Sequence, residues 1–273
     1  MDFDPKLMAT IGTSFITSLA AKGITGPAET INDLWKASFG YPIHYFSEKR
    51  KIKYEINLKK FEKELTEKIL EIPKENIQEP KESIIGPALE ASKYYFDEEE
   101  IRNMFANLIA SSMDSTYNGL IQHSFVEIIK QLSPLDAKLF KSFKKNNPIV
   151  DVFYKFDFKK SPSLNFDIER SSFSILENLF FSSEILESSR NYISIENLIK
   201  QGLVLIDKTQ RLVDEEYYKH YYSSEQVLYY KNEHILKHKP FDKKDGKIEL
   251  KHCILKLTYL GEIFKEICIK DSL

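Results

Sequence analysis

A single apolar stripe in the first third of the chain constrains the fold more than any other sequence feature. Residues 45–72 contain neither glycine nor proline, and their apolar side chains recur every three or four positions, at Tyr54, Leu58, Phe61, Leu65 and Ile69. Steps of three and four return to the same side of an α-helix. The positions between them are mostly lysine and glutamate. The pattern therefore predicts one long helix that buries a single apolar face.

Helix start and stop signals extend this helical character over residues 8–143. Pro27 can open a second helix, which Gly40 and Pro42 end. Three further helix starts are predicted from capping patterns, in which a side-chain oxygen accepts a hydrogen bond from a first-turn N–H: Asp97 with Glu100, Ser124 with Glu127, and Ser133-Pro134 with Asp136. We therefore predict an all-α domain over residues 1–132.

The second half mixes helix and strand patterns. Its predicted elements are a helix at residues 171–181, a short helix capped by Ser194, a left-handed turn at Gly202, strands at 203–206 and 247–257, and a closing helix capped by Thr258. With a first helix starting near Leu135, this is the element order of a winged helix-turn-helix. The fold-class prediction is thus mainly α: an N-terminal helical domain, then a winged-helix-like α+β domain over residues 133–273.

An insertion at about residues 208–246 separates the two predicted strands and is rich in tyrosine. Its middle, residues 214–238, has helical character and carries six tyrosines, Tyr217, Tyr218, Tyr221, Tyr222, Tyr229 and Tyr230. Tyrosines at this density either cover the domain's own core or form a surface for a partner or a second copy of the chain. Both interpretations remain open from the sequence.

The charge balance predicts no strong positive electrostatic field that would attract a polyanion such as nucleic acid. The 273 residues carry a net charge of −2, and only five of the 39 basic residues are arginine, the residue best suited to phosphate and guanine contacts. Two cysteines, an acidic N-terminus and no signal-peptide pattern predict a cytoplasmic protein. Residues 8–25 carry only Lys22 as a charge and are the one candidate for membrane contact.

One stretch of the chain resembles a known family. Residues 84–114, IIGPALEASKYYFDEEEIRNMFANLIASSMD, and residues 123–140, HSFVEIIKQLSPLDAKLF, resemble the signature of the Abi-alpha family of bacterial abortive-infection proteins. The lead-in LWKASFG and the closing motif LT-x-LG-x-x-F are similar to that family as well. The resemblance implies a role in defence against phage. It brings no catalytic residues with it.

The sequence contains few signs of catalysis. No P-loop, dinucleotide fingerprint or nucleophile elbow occurs, nor the Arg-x4–6-His motif of helical defence ribonucleases. Asp114 and His123 frame a loop and could form an acid–base pair, with Arg102 three turns earlier. The same residues could equally cap helices and fix the loop. We expect no enzyme activity, no cofactor and no small-molecule substrate.

The C-terminal part of the chain offers candidate residues for a metal site and for a DNA-binding site. His234 and His238, four residues apart, could combine with His252 and Cys253 in a zinc site, but a polar loop separates the pairs and no metal is predicted. A winged helix could contact DNA through its recognition helix and wing. The candidate side chains are Asn197, Lys200, Gln201, Lys243, Lys244 and Lys247.

These observations favour a non-enzymatic phage-defence protein that senses or acts through protein interaction or self-assembly. Its expected partner is a protein or a second copy of the chain, and a phage component is one candidate. Two alternatives remain open from the sequence. One is a membrane-damaging effector that uses residues 8–25. The other is a DNA-binding regulator that uses the winged helix.

Overall fold

The residues that the structure describes are mainly helical and form one four-stranded antiparallel sheet. The computed structural model describes residues 17–39, 48–156, 172–181, 191–231 and 246–269. They form two compact units, one of the described residues up to 137 together with 263–269, and the other of the described residues between 138 and 262. The division predicted after residue 132 stays a prediction. The helices, in chain order, are α1 (Gly26–Phe39), α2 (Glu48–Glu71), α3 (Glu82–Ser92), α4 (Glu99–Ser112), α5 (Ser124–Gln131), α6 (Pro134–Ser142), α7 (Asn191–Lys200), α8 (Glu216–Tyr222), α9 (Glu225–Tyr229) and α10 (Tyr259–Cys268).

The first unit is built around the apolar stripe of α2. Leu58, Phe61, Leu65 and Ile69 are completely buried, which confirms the long helix predicted from their spacing. Phe61 stacks on Trp35 of α1, with ring centroids 5.8 Å apart, and lies 5.3 Å from the Phe96 ring. An isolated bridge between Ile77 and Asp114 is the one β-pairing among the described residues of this unit.

The three predicted capping boxes have different outcomes. At α6 the box is confirmed, because the Asp136 carboxylate accepts a hydrogen bond from Ser133 N–H at 2.8 Å and the Ser133 hydroxyl accepts one from Asp136 N–H at 3.2 Å. At α4 it is wrong, because the Asp97 carboxylate is taken by Lys53 and Asn57 and the N-cap is Glu98.

The third capping box, at α5, is also wrong. His123 is the N-cap and no side chain caps the helix. Ser124 is therefore the first helical residue rather than the cap. Glu127 instead accepts a hydrogen bond from Lys130 one turn later, at 2.9 Å, so it does not reach back to the start of the helix.

The sheet lies in the second unit and its strands are ordered β2-β1-β4-β3. The strands are β1 (Asn146–Phe156), β2 (Ser172–Leu179), β3 (Val204–Asp207) and β4 (Gly246–Leu257). β1 and β4 pair along their whole length, from Asn146 opposite Lys256 to Phe156 opposite Gly246. The long central β1 was not predicted, whereas β3 and β4 confirm the two predicted strands.

The helix predicted at residues 171–181 is wrong, because this segment is strand β2. Its apolar spacing of three and four residues arises from irregular pairing with β1, whose register shifts on both sides of Val152. Asn178 adopts a positive φ of 59° at the same place. Such an irregularity breaks the two-residue alternation of a strand, so the sequence imitates a helix.

The winged-helix prediction is not confirmed, because the helix order on which it depended includes residues 171–181. Part of the local pattern is nevertheless present. Gly202 ends α7 with a positive φ of 72°, as predicted. The predicted cap at Ser194 is wrong, since α7 starts at Asn191 and Ser194 is buried inside it.

The start of α10 is fixed against the end of α7. As predicted, Thr258 caps this helix: its hydroxyl accepts a hydrogen bond from Gly261 N–H at 2.9 Å. The same hydroxyl donates to the Gly202 carbonyl at 2.6 Å, and Thr258 N–H donates to the Leu203 carbonyl at 3.0 Å. Gly261 follows one turn later and lies directly against Leu203.

Candidate functional site

The described part of the tyrosine-rich insertion, residues 208–231, contains the helix pair α8 and α9, which packs on the sheet. Asp214 accepts a hydrogen bond from Glu216 N–H at 2.9 Å at the start of α8, and the Ser224 hydroxyl caps α9. Tyr218 and Tyr221 are three residues apart and therefore share one face of α8. Both are completely buried and contact a core that includes Val150 of β1.

Each of these two buried tyrosines, called here the anchored tyrosines, is hydrogen-bonded to the sheet. The Tyr218 hydroxyl donates to the Cys253 carbonyl at 2.9 Å and accepts from Leu212 N–H at 3.0 Å. The Tyr221 hydroxyl donates to the Pro148 carbonyl at 2.7 Å. Burial raises the pKa of both phenols. Of the two interpretations of the tyrosine-rich insertion, Tyr218 and Tyr221 fit the one in which tyrosines cover the domain's own core.

Three other tyrosines of the helix pair face outward. Tyr217, Tyr222 and Tyr229, called here the outer tyrosines, are 54%, 44% and 45% exposed. Tyr230 is half-buried, and its ring meets that of Tyr229 edge-on at 5.4 Å. Five of the six tyrosines thus divide into a buried pair that holds α8 and an exposed set of three that presents aromatic rings to solvent.

Two histidines pack against the anchored tyrosines. The His252 ring lies parallel to the Tyr218 ring with centroids 4.1 Å apart, and its Nε2 is 3.0 Å from the Tyr222 hydroxyl. The His220 ring lies 4.1 Å from Tyr221 and edge-on to Phe181. Burial lowers the pKa of both imidazoles. The charged groups near His252 oppose each other, because Glu215 raises its pKa and Arg211 lowers it.

We expect the free energy of unfolding to fall as the pH is lowered from about 7.5 to about 5.5. In the unfolded chain histidine titrates near 6.5, so that state binds protons that the folded protein does not. The stabilisation is therefore complete above about pH 6.5 and is lost as the pH falls below it. Urea unfolding at several pH values measures the decrease. It should become smaller in the His220→Phe/His252→Phe variant, and an unchanged decrease would contradict the assignment.

The predicted catalytic candidates have structural partners. Arg102 is 5% exposed and forms a bidentate pair with Glu64, at 2.6 and 2.9 Å, while its third donor reaches the Phe96 carbonyl at 2.8 Å. Asp114 caps the following turn by accepting hydrogen bonds from Thr116 N–H and hydroxyl.

His123 is exposed and lies near the N-terminus of α3. Its Nε2 is 3.2 Å from the Ser83 hydroxyl. Asp114, in contrast, is 7% exposed and is occupied by Thr116. Asp114 and His123 are thus held by different partners, and the loop-fixing alternative accounts for both.

The structure describes four of the six candidate residues for nucleic-acid binding. Gln201 donates to the Asn197 side chain at 3.4 Å, and Lys200 is exposed at the end of α7. Lys247 is paired with Glu249 at 2.8 Å. Lys243 and Lys244 lie outside the described residues.

A polar cluster that the sequence did not indicate joins β1, β2 and the turn after β3. The Lys208 ammonium lies 3.0 Å from Asp151 and 2.8 Å from Glu177. Although burial opposes it, this pair of carboxylates raises the pKa of Lys208. Asp151 also accepts a hydrogen bond from Asn178 N–H at 3.0 Å. The cluster stabilises the irregular β1–β2 pairing. It could not be predicted from the sequence, because a helix at residues 171–181 does not place Glu177 beside β1.

The described residues provide neither a set of side chains placed to bind a metal nor a helix that could span a membrane. Across the described ranges, no group of three or more His, Cys, Asp or Glu side chains is placed to hold a metal ion. His234 and His238 lie outside those ranges, and burial raises the pKa of the Cys253 thiol to about 11. In the part of the chain that the structure describes, no helix is long and apolar enough to cross a membrane. Residues 8–16 of the membrane candidate are outside it.

The fold and site define a mainly helical protein with one antiparallel sheet, whose most distinctive surface is an anchored pair of tyrosine-bearing helices. The chain belongs to the abortive infection alpha family, whose model matches residues 53–268. This confirms the resemblance carried by residues 84–140. No curated protein and no solved structure matches the chain.

Proposed function

We propose that this chain is a phage-defence protein of the abortive-infection type that acts without catalysis, by binding another protein or a second copy of itself through the outer tyrosines. Family membership supports the defence role. The observation that carries the mechanism is the exposure of Tyr217, Tyr222 and Tyr229 on the helix pair α8 and α9, of which α8 is fixed to the sheet by the anchored tyrosines.

Anchoring makes the exposed rings suitable for binding. Because Tyr218 and Tyr221 hold α8 through hydrogen bonds to β4 and β1, the helix needs little further ordering when a partner binds. Tyrosine combines a large apolar ring with a hydroxyl, and it is enriched among the residues that dominate binding energy at interfaces. Tyr217 and Tyr222 on α8 are therefore held in place before a partner binds.

The alternatives have weaker support. A hydrolytic mechanism would require Arg102, Asp114 and His123 to act together, yet each has a structural partner. Among the DNA-binding candidates, Lys247 and Gln201 are engaged by Glu249 and Asn197.

Replacing two outer tyrosines tests the proposal. We expect Tyr217→Ser/Tyr229→Ser to abolish protection against phage, because two aromatic contacts worth about 2 kcal/mol each correspond to a more than about 100-fold loss of affinity. The matched control is Tyr94→Ser/Tyr259→Ser, which removes tyrosines that are 79% and 77% exposed and lie outside the helix pair. Plating efficiency is the measurement.

The stability of both variants is compared by urea unfolding alongside the plating measurement. Surface substitutions of this kind change the free energy of unfolding by less than about 0.5 kcal/mol, so urea unfolding should give similar midpoints. Protection that survives the loss of Tyr217 and Tyr229, or that is lost equally in the control, contradicts the proposal. Sedimentation of the purified protein separates self-association from binding to a different protein.

A further inference from the structure

The outward face of α2 combines two exposed isoleucines with lysines. Ile52 and Ile56 are one turn apart and are 60% and 51% exposed, although the opposite face of the same helix is completely buried. Single exposed apolar residues are common on protein surfaces. A pair on successive turns of one helix, with several lysines on the same face, is a more specific arrangement.

Four lysines share this face. At about 100° per residue, Lys53, Lys59, Lys60 and Lys63 fall with the two isoleucines within an arc of about 120°. Lys53 pairs with Asp97, and Lys63 lies 3.7 Å from Glu67. Within the described ranges no ion pair engages Lys59 or Lys60. Residues 48–63 as a whole hold seven basic and three acidic residues in a chain whose net charge is −2.

We propose that this face of α2, defined by Ile52, Lys53, Ile56, Lys59, Lys60 and Lys63, binds the surface of an anionic phospholipid bilayer. Lysines attract the phosphate and carboxylate headgroups, and the isoleucines enter the boundary between headgroups and acyl chains. The helix lies in the plane of the membrane and does not cross it.

The isoleucines favour a bilayer over nucleic acid. A phosphate backbone offers charge to the lysines but no apolar layer beside it, so Ile52 and Ile56 would remain in water. A bilayer offers both within a few ångströms. The inference is independent of the proposed function, because it concerns another helix and another class of partner.

Co-sedimentation of the full chain with lipid vesicles tests the proposal. The probes are vesicles of phosphatidylcholine with and without phosphatidylserine. We expect binding only to the vesicles that contain phosphatidylserine. Raising the ionic strength from about 0.1 M to about 1 M, which shortens the screening length from about 10 to about 3 Å, should release the protein.

Two variants assign the binding to this face. Lys59→Glu/Lys60→Glu should weaken binding by at least about tenfold, because each lysine near an anionic surface contributes roughly a factor of five. Ile52→Ser/Ile56→Ser should weaken it several-fold without changing its dependence on salt. The control is Lys36→Glu/Lys81→Glu, which changes the net charge equally at two exposed positions away from α2, one within α1 and the other at the N-cap of α3.

Three outcomes overturn the proposal. They are no binding to either vesicle, an equal loss in the Lys36/Lys81 control, and binding that tolerates both sets of α2 substitutions. Retention of duplex DNA with the same dependence on Lys59 and Lys60, but without vesicle binding, assigns the face to nucleic acid instead.

Discussion

Gly261→Ala is expected to destabilise the protein by about 3 kcal/mol or more. A Cβ at this position would lie 1.9 Å from the Leu203 carbonyl oxygen and 2.9 Å from its carbon, distances that no rotamer can relieve because the opposing atoms belong to the backbone. The Leu203 carbonyl is itself fixed by the hydrogen bond from Thr258 N–H. Relief requires α10 to move away from the end of α7, and overpacking of this severity costs at least as much as typical core overpacking.

The Gly261→Ala test is decisive because the expected loss of stability is opposite in sign to the effect that alanine normally has in a helix. Without the contact, alanine in place of glycine inside a helix would stabilise it by about 1 kcal/mol. Gly86→Ala is the matched control, since Gly86 lies inside α3 with open space where its Cβ would be. We expect a small gain there, reduced because alanine precedes Pro87. Urea unfolding measures both variants, and a neutral Gly261→Ala would contradict the packing of α10 on Leu203.

Arg102→Met is expected to cost about 3 kcal/mol of stability. The substitution leaves the Glu64 carboxylate without its bidentate partner and the Phe96 carbonyl without its donor. Breaking one side of a buried ion pair costs about 3–5 kcal/mol, and partial exposure of Glu64, whose side chain is 22% accessible, places the value at the lower end. Lys130→Met, which breaks the exposed pair with Glu127, should cost less than about 1 kcal/mol.

A second substitution separates structure from catalysis at Arg102. Arg102→Met/Glu64→Met removes both charges, and such replacements regain much of the lost stability. If Arg102 serves only the fold, the double variant protects against phage as the unmodified protein does. A double variant that is stable but does not protect would instead give Arg102 a direct role in the mechanism.

Helical periodicity alone predicts a helix correctly where one of its faces is buried against other helices. The stripe from Leu58 to Ile69 predicted α2, and the reciprocal Ser133–Asp136 cap predicted the start of α6. The capping pattern failed at Asp97, because Lys53 and Asn57, about forty residues earlier in the chain, take its carboxylate. The residues next to Asp97 do not show that distant side chains compete with the helix N-terminus for its carboxylate.

Strand β2 and the polar cluster could not be predicted from the sequence. The apolar residues of β2 follow three- and four-residue steps because its pairing with β1 is irregular near Asn178. Without β1 and β2, nothing brought Asp151, Glu177 and Lys208 together. Pairing between strands is a long-range property, and periodicity within one segment does not determine it.

The spacing of the tyrosine doublets predicts which tyrosines are buried, whereas the number of tyrosines does not. Adjacent residues on a helix point about 100° apart, so only one tyrosine of each doublet can face the sheet. Tyr218 and Tyr221 are three residues apart and share a face, which leaves Tyr217 and Tyr222 outside. This spacing divides the set into core and surface, whereas composition alone left both interpretations open.

Phage plating efficiency on matched strains tests the central claim most directly. The strains carry the unmodified protein, Tyr217→Ser/Tyr229→Ser, or Asp114→Asn/His123→Gln, which removes both groups of the candidate acid–base pair and keeps acceptors for Thr116 and Ser83. We predict that the tyrosine variant plates phage as freely as cells without the protein, while the Asp114/His123 variant protects fully. The reverse result, with protection lost at Asp114/His123 and kept without the outer tyrosines, would contradict a non-catalytic mechanism based on protein contact.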